Sequence, residues 1–219
     1  MERHYTFIAG PSGSWRVRQM VPNRGEPLAP ATHLQVQAGL QDPELGASWC
    51  LHGVVSNERY VTRSEKSALA ARQEGLGRAQ STCAVLIPIR KSTQWWLLPQ
   101  DERRAVIEED SRHIAIGMEY LPAIARRLHH CRDLPSPQPF DFLTWFEFAP
   151  QDEGAFDTLL ARLRTTREWE YVDREVELRL IRATPPSSLV GRSGEIVTTG
   201  TAQPTEHDIA ESQAQLDLT

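Results

Sequence analysis

SRHIAIGMEYLPAIARRLHHC, residues 111–131, contains a change of period that decides how the chain folds. Before Pro122, Ile114, Gly117 and Leu121 fall near one helical face, together with Val106 and Ile107 upstream. That spacing predicts a helix opened by Pro99 and Asp101 and running to about Tyr120, with Pro122 at its end. Ala123–Cys131 alternates instead. It predicts a strand with Ile124, Arg126 and Leu128 on one face and Arg127 and His129 on the other.

The neighbouring segments extend this helix-to-strand passage in both directions. Cys83–Ile89, CAVLIPI, reads as a short buried strand. After residue 131, a turn with three prolines (133–139) leads into FDFLTWFEF at 140–148. Alternation there places Phe140, Phe142, Thr144, Phe146 and Phe148 on one side and Asp141, Leu143, Trp145 and Glu147 on the other. Asp152–Thr166 is amphipathic, with Phe156, Leu159, Leu160 and Leu163 inward, and Val172–Ile181 alternates again. From residue 83 the order is strand, helix, strand, strand, helix, strand. This is the ferredoxin-like βαββαβ pattern, a four-stranded antiparallel sheet with both helices on one face.

The first eighty residues read as a reduced α+β unit. Strands are expected at His4–Ala9 and Trp15–Val21, across the turn Gly-Pro-Ser-Gly at 10–13. A loop follows at Asn23–Pro30. Thr32–Leu40 alternates weakly, Ala47–Ser56 reads as a strand, and Ser64–Leu76 reads as a helix closed by Gly77. The expected domains are therefore 1–80 and 81–182. Residues 183–219 are polar, with too few large apolar side chains to offset their ordering entropy, and are expected to be disordered.

Composition narrows the partners. The 219 residues carry 24 Lys and Arg against 29 Asp and Glu, a formal charge of -5. That balance disfavours binding to nucleic acid or to an anionic membrane surface. No apolar run approaches the ~20 residues that would cross a bilayer. The N-terminal segment has charges where a signal peptide would need its apolar core. Cys50, Cys83 and Cys131 form no CxxC pair, which argues against a disulfide framework or structural zinc. A cytoplasmic globular protein is expected.

Four residues stand out chemically. His113 lies on the predicted helix with Gly117 one turn along. A mid-helix glycine costs about 1 kcal/mol relative to alanine, which is easier to explain if something flat approaches the backbone there. Arg126 shares its strand face with Ile124 and Leu128, so it must meet an anion or pair with a carboxylate such as Asp141 or Glu147. Glu168, between the second helix and the last strand, is placed to accept the other ring N–H of a ligating histidine, unless it is a solvated loop carboxylate. His113 from the helix layer and Arg126 from the sheet layer suggest the two sides of one bound haem. His129, His130 and Cys131 do not form a metal cluster, because adjacent strand residues point to opposite faces.

With these residues in hand, the chain resembles the chlorite dismutase family, in its short-chain dimeric lineage. The resemblance rests on SNERYV (56–61), ARQEGLGRAQSTCAVLIPI (71–89), KSTQWW (91–96), DERR (101–104), residues 111–134, FDFLTWFEFAP (140–150) and LRTTREWEYVDREVELRL (163–180). It implies two ferredoxin-like halves of the dimeric α+β barrel type, with haem b only in the C-terminal one. It makes His113 the iron ligand, Glu168 its hydrogen-bond partner, Arg126 the distal cation and Gln73 the amide that can hold that cation. Tyr60, Lys91 and Trp95 match positions near the haem propionates. The implied activity is conversion of chlorite to chloride and dioxygen by a homodimer. Two other readings share the fold: a coproheme decarboxylase, against which the Arg126 match argues, and a haem-binding carrier or sensor with incidental chlorite activity.

Overall fold

Strands that are apolar on both sides have to be covered on both sides. A computed structural model of the chain, described here for residues 2–43, 45–56 and 59–183, does so by closing the sheet on itself and packing helices outside it. The expected tail lies, from residue 184 onward, outside the described residues.

Four strands come from the N-terminal part: β1 (His4–Gly10), β2 (Trp15–Arg24), β3 (His33–Ala38) and β4 (Trp49–Val55). Helix α1 (Arg63–Arg72) follows, opened by a capping box between Thr62 and Glu65. The C-terminal part supplies β5 (Cys83–Lys91), β6 (Ala125–His130), β7 (Phe142–Phe148) and β8 (Val172–Arg182). Its helices are α2 (Thr93–Leu97), α3 (Gln100–Arg104), α4 (His113–Met118), α5 (Glu153–Arg164) and α6 (Arg167–Glu170). The strands form one closed antiparallel barrel in the order β1-β3-β2-β8-β5-β7-β6-β4, with β4 returning to β1.

Strand alternation divides the core in two. Phe7, Leu34, Leu86, Trp145 and Leu178 pack together inside the barrel. Val85, Ile87, Phe146 and Phe148 face outward, where α5 lays Phe156, Leu159, Leu160 and Leu163 on them. Burying each such side chain contributes about 1.5–3 kcal/mol, and the two layers draw on the same strands.

Three departures from the sequence reading bear on how the elements are placed. The helix expected over 101–120 is broken: α3 runs into a π-helical turn (Ala105–Asp110), the chain passes through Arg112 at φ 53°, and α4 restarts at His113. Local hydrogen bonds outweigh helix periodicity here. The Glu108 carboxylate accepts from Ile114 N at 2.7 Å and Ala115 N at 3.3 Å, capping the new helix. The Ser111 hydroxyl accepts from Glu168 N at 2.9 Å. Second, Phe140 joins the interior cluster rather than the face of Phe142, because regular pairing to β5 begins only at Phe142. Third, α1 ends at Arg72, short of Leu76, with Gln73 extended at its C-cap.

The barrel closes through β4 and β6, and one glycine permits it. A Cβ on Gly53 would lie 2.6 Å from His129 Cβ across that seam. Gly53→Ala should cost about 1–3 kcal/mol through overpacking and lower the midpoint of urea unfolding. Gly154→Ala on α5, where a Cβ meets nothing within 4 Å, should leave the midpoint unchanged or raise it. An unchanged midpoint in Gly53→Ala would contradict the seam.

Candidate active site

Between the outer face of the β5-β7-β6 sheet and helices α4 to α6 lies a cavity of about 1070 Å³, counted out to its mouth. Ile87, Ile124, Phe142 and Phe146 line it from the sheet, and Ile114 and Leu159 from the helices. The polar groups reach it from opposite layers.

His113 is the first residue of α4, and its Nδ1 lies 2.5 Å from Glu168 Oε2. The other carboxylate oxygen accepts from Lys91 Nζ at 2.8 Å. Lys91 ends β5, is buried, and holds its ammonium 4.6 Å above the Trp95 ring. With Nδ1 committed to a carboxylate, Nε2 is the imidazole nitrogen left for a ligand. Burial alone would raise the Glu168 carboxyl. The Lys91 ammonium and then the His113 ring outweigh it and hold the group far below the usual carboxylate range. The result is a buried, ionised carboxylate that orients an imidazole.

Arg126 lines the same cavity from β6, beside Ile124 and Leu128 as the alternation predicts. Among the described residues its guanidinium has no ion-pair or hydrogen-bond partner. Both suggested carboxylates are engaged elsewhere. Asp141 accepts from Lys91 N and Trp96 Nε1, and Glu147 from Gly77 N and Trp145 Nε1. Burial pulls Arg126 below the ordinary arginine value, and the charge of Glu168 opposes that shift. Arginine stays protonated in any protein environment, so an unanswered cation faces the cavity.

The remaining candidates divide between wall and support. Gly117 borders the cavity, and a Cβ there would meet nothing within 4 Å. Tyr60 and Trp95 form a further wall, their rings 6.0 Å apart and edge to face. Tyr60 has φ 67°, and Arg104 holds it there by donating to its carbonyl at 2.9 Å. Tyr60 Oη and Trp95 Nε1 are buried and have no partner among the described residues. Gln73 donates its amide to the Arg126 carbonyl at 3.0 Å and so holds the strand backbone rather than the guanidinium. Lys91, matched above to the propionate region, directs its charge to Glu168. Ser111 and Glu108 escaped the sequence reading. Their roles depend on a helix break that no periodicity announces.

This donor set fits a flat, anion-bearing macrocycle. A ring nitrogen is free on one side, a cation lies on the other, a glycine opens the floor, and two buried donors await acceptors. Comparison with known proteins agrees with the geometry. The sequence profile described as Chlorite dismutase matches residues 38–183, and the chain belongs to that family. A chlorite dismutase of Ideonella dechloratans is 28% identical over 123 residues, covering 55% of this chain and 40% of that protein. The chain thus aligns with less than half the length of that relative. The dimeric chlorite dismutase structure from Nitrobacter winogradskyi is 52% identical, with a TM-score of 0.75, over 82% of this chain and 99% of that one. The enzyme from Candidatus Nitrospira defluvii in complex with imidazole superposes at a TM-score of 0.58 with 21% identity, covering 82% and 91%. At that identity the likeness concerns the fold alone.

Because folded Glu168 binds its proton more weakly than the unfolded chain does, its stabilising contribution is complete above an unfolded pKa of about 4.5 and is lost as pH falls below it. Glu168→Gln leaves Lys91 buried without its counter-charge, at a cost of about 3–5 kcal/mol near neutrality. Urea unfolding at a series of pH values should show the wild-type advantage largest at pH 7 and shrinking on acidification. A gap independent of pH would disprove the buried carboxylate.

Proposed function

We propose that the protein is a haem b enzyme that converts chlorite to chloride and dioxygen. The observation that carries this reading is the unpaired Arg126 cation in the cavity that also presents His113. Haem b supplies the redox-active iron at which the Cl–O bonds of chlorite are broken. His113 would hold the iron through Nε2, while Nδ1 donates to Glu168. The Glu168 charge increases electron donation from the imidazole, and Lys91 moderates it by sharing the carboxylate. Tyr60 and Trp95 offer donors for the haem propionates, and Gly117 leaves room for the ring.

Arg126 carries the specificity. Fixed in β6 and away from bulk water, its guanidinium attracts the chlorite anion and retains anionic chlorine oxides derived from it. Gln73 acts one bond further back, by fixing the backbone from which Arg126 projects. An unpaired cation suits a small anionic substrate better than a carrier, whose task is to hold haem.

Each half of the barrel we read as ferredoxin-like, divided near residues 80 and 81. What supports this is the recurrence of one strand order. Within the first half it is β4-β1-β3-β2, and within the second β8-β5-β7-β6, so the fourth strand lies beside the first in both. A homodimer is proposed from the dimeric neighbour at 52% identity. A cytoplasmic location is proposed from the free thiols of Cys50, Cys83 and Cys131. No helix among the described residues is long and apolar enough to cross a membrane.

Oxygen-electrode assays with purified protein test the activity. Wild type should evolve oxygen from chlorite. His113→Ala should lose or loosen haem, read from the Soret band. Arg126→Ala should keep haem yet bleach sooner, with a several-fold smaller total oxygen yield. Haem-replete wild type that evolves no oxygen would refute the assignment.

A further inference from the structure

Arg126 and Arg127 are consecutive on β6, and they serve different cavities. Arg127 points into a second cavity within one end of the barrel, about 720 Å³ counted out to its mouth. The sheet separates the two spaces. Tyr5, Phe7, Trp15 and Trp145 supply flat walls to this second cavity, and the segment Leu76–Gly77 borders it.

Its charges do not cancel. Arg127 lies 4.6 Å over the Tyr5 ring and has no carboxylate partner among the described residues. Arg182 lies 4.9 Å over the Trp15 ring and donates to Ser81 O at 3.0 Å. The one carboxylate among the described residues lining the space, Glu147, accepts from Gly77 N at 2.6 Å and Trp145 Nε1 at 2.9 Å, and is 4.0 Å from Arg182. His129, which also lines the space, is pushed down to about 4 by burial and is neutral at physiological pH. Two guanidinium groups against one carboxylate leave about one positive charge among aromatic walls that meet tilted or edge to face. The combination resembles an amphipathic ligand pocket: Arg127 is half-buried without a carboxylate partner among the described residues, and Arg182 keeps part of its side chain in solvent.

We propose that the cavity at this end of the barrel is a second ligand site, distinct from the haem cavity, that takes an aromatic carboxylate. The ring stacks among the tryptophan and tyrosine side chains, and the carboxylate meets Arg127, with Arg182 nearby. Nothing in this assignment depends on chlorite chemistry.

Isothermal titration calorimetry of the full-length protein with benzoate tests it, with benzamide as the neutral isostere. Saturable benzoate binding is expected, weaker by about tenfold or more for benzamide and for Arg127→Gln, as loss of one charge-assisted contact implies. Arg182→Gln should weaken it less. Arg126→Gln, on the opposite face of the same strand, should leave it unchanged. The wild-type comparison of benzoate with benzamide needs no variant to fold. Absence of saturable binding, equal binding of benzamide, or benzoate binding lost in Arg126→Gln would each overturn the proposal.

Discussion

A carboxylate removed from water must be answered by charge and by hydrogen bonds; the Glu168 carboxylate is answered from two directions and its backbone is held from a third. Lys91 comes from the end of β5, His113 from the start of α4, and Ser111 receives the Glu168 backbone N–H from the turn between. None of these groups is adjacent to Glu168 in sequence, so satisfying one acid aligns a strand end, a helix start and a loop. The break in the helix before His113 follows from that demand. A continuous helix would carry the imidazole past the carboxylate, so the chain adopts a π-helical turn and a left-handed residue at Arg112. The irregular backbone leaves the imidazole fixed against the carboxylate.

The second constraint is that the same strands serve two cores. Leu86 and Trp145 pack inward while Ile87 and Phe146 pack outward. Barrel closure therefore does more than remove sheet edges. It holds the outer face rigid, so that Arg126 is fixed by strand geometry and not by a flexible loop. Gln73 adds a restraint on the same backbone from α1. Precision at the cavity is thus borrowed from packing on its far side.

The fold was legible where period carried it. Residues 140–148 and 153–164 announce their burial by alternation and by helical spacing, and both appear as read apart from Phe140. The placement of His113 and Arg126 on opposite layers was legible too, since it needs only the element order and the strand face. What stayed hidden was polar and long-range. The reach of Lys91 to Glu168 spans 77 positions, and the capping of α4 by Glu108 requires a break that the apolar pattern conceals. Barrel closure through β4 and β6 rests on few paired residues and a glycine, so no local period marks it.

The tandem arginines on β6 also bear on pairing fidelity. A strand shifted by one residue exchanges its two faces, and elsewhere such a slip would replace a cavity-facing cation with an unrelated side chain. Here it would replace one arginine with another, so charge alone gives almost no discrimination between the two alignments. Discrimination must come from the flanking positions: Ala125, fully enclosed, and His129, whose Nδ1 meets Leu143 O at 3.0 Å beneath Gly53. A neutral histidine and a glycine, neither of which lines the first cavity, thereby act as the alignment key for the arginine that does.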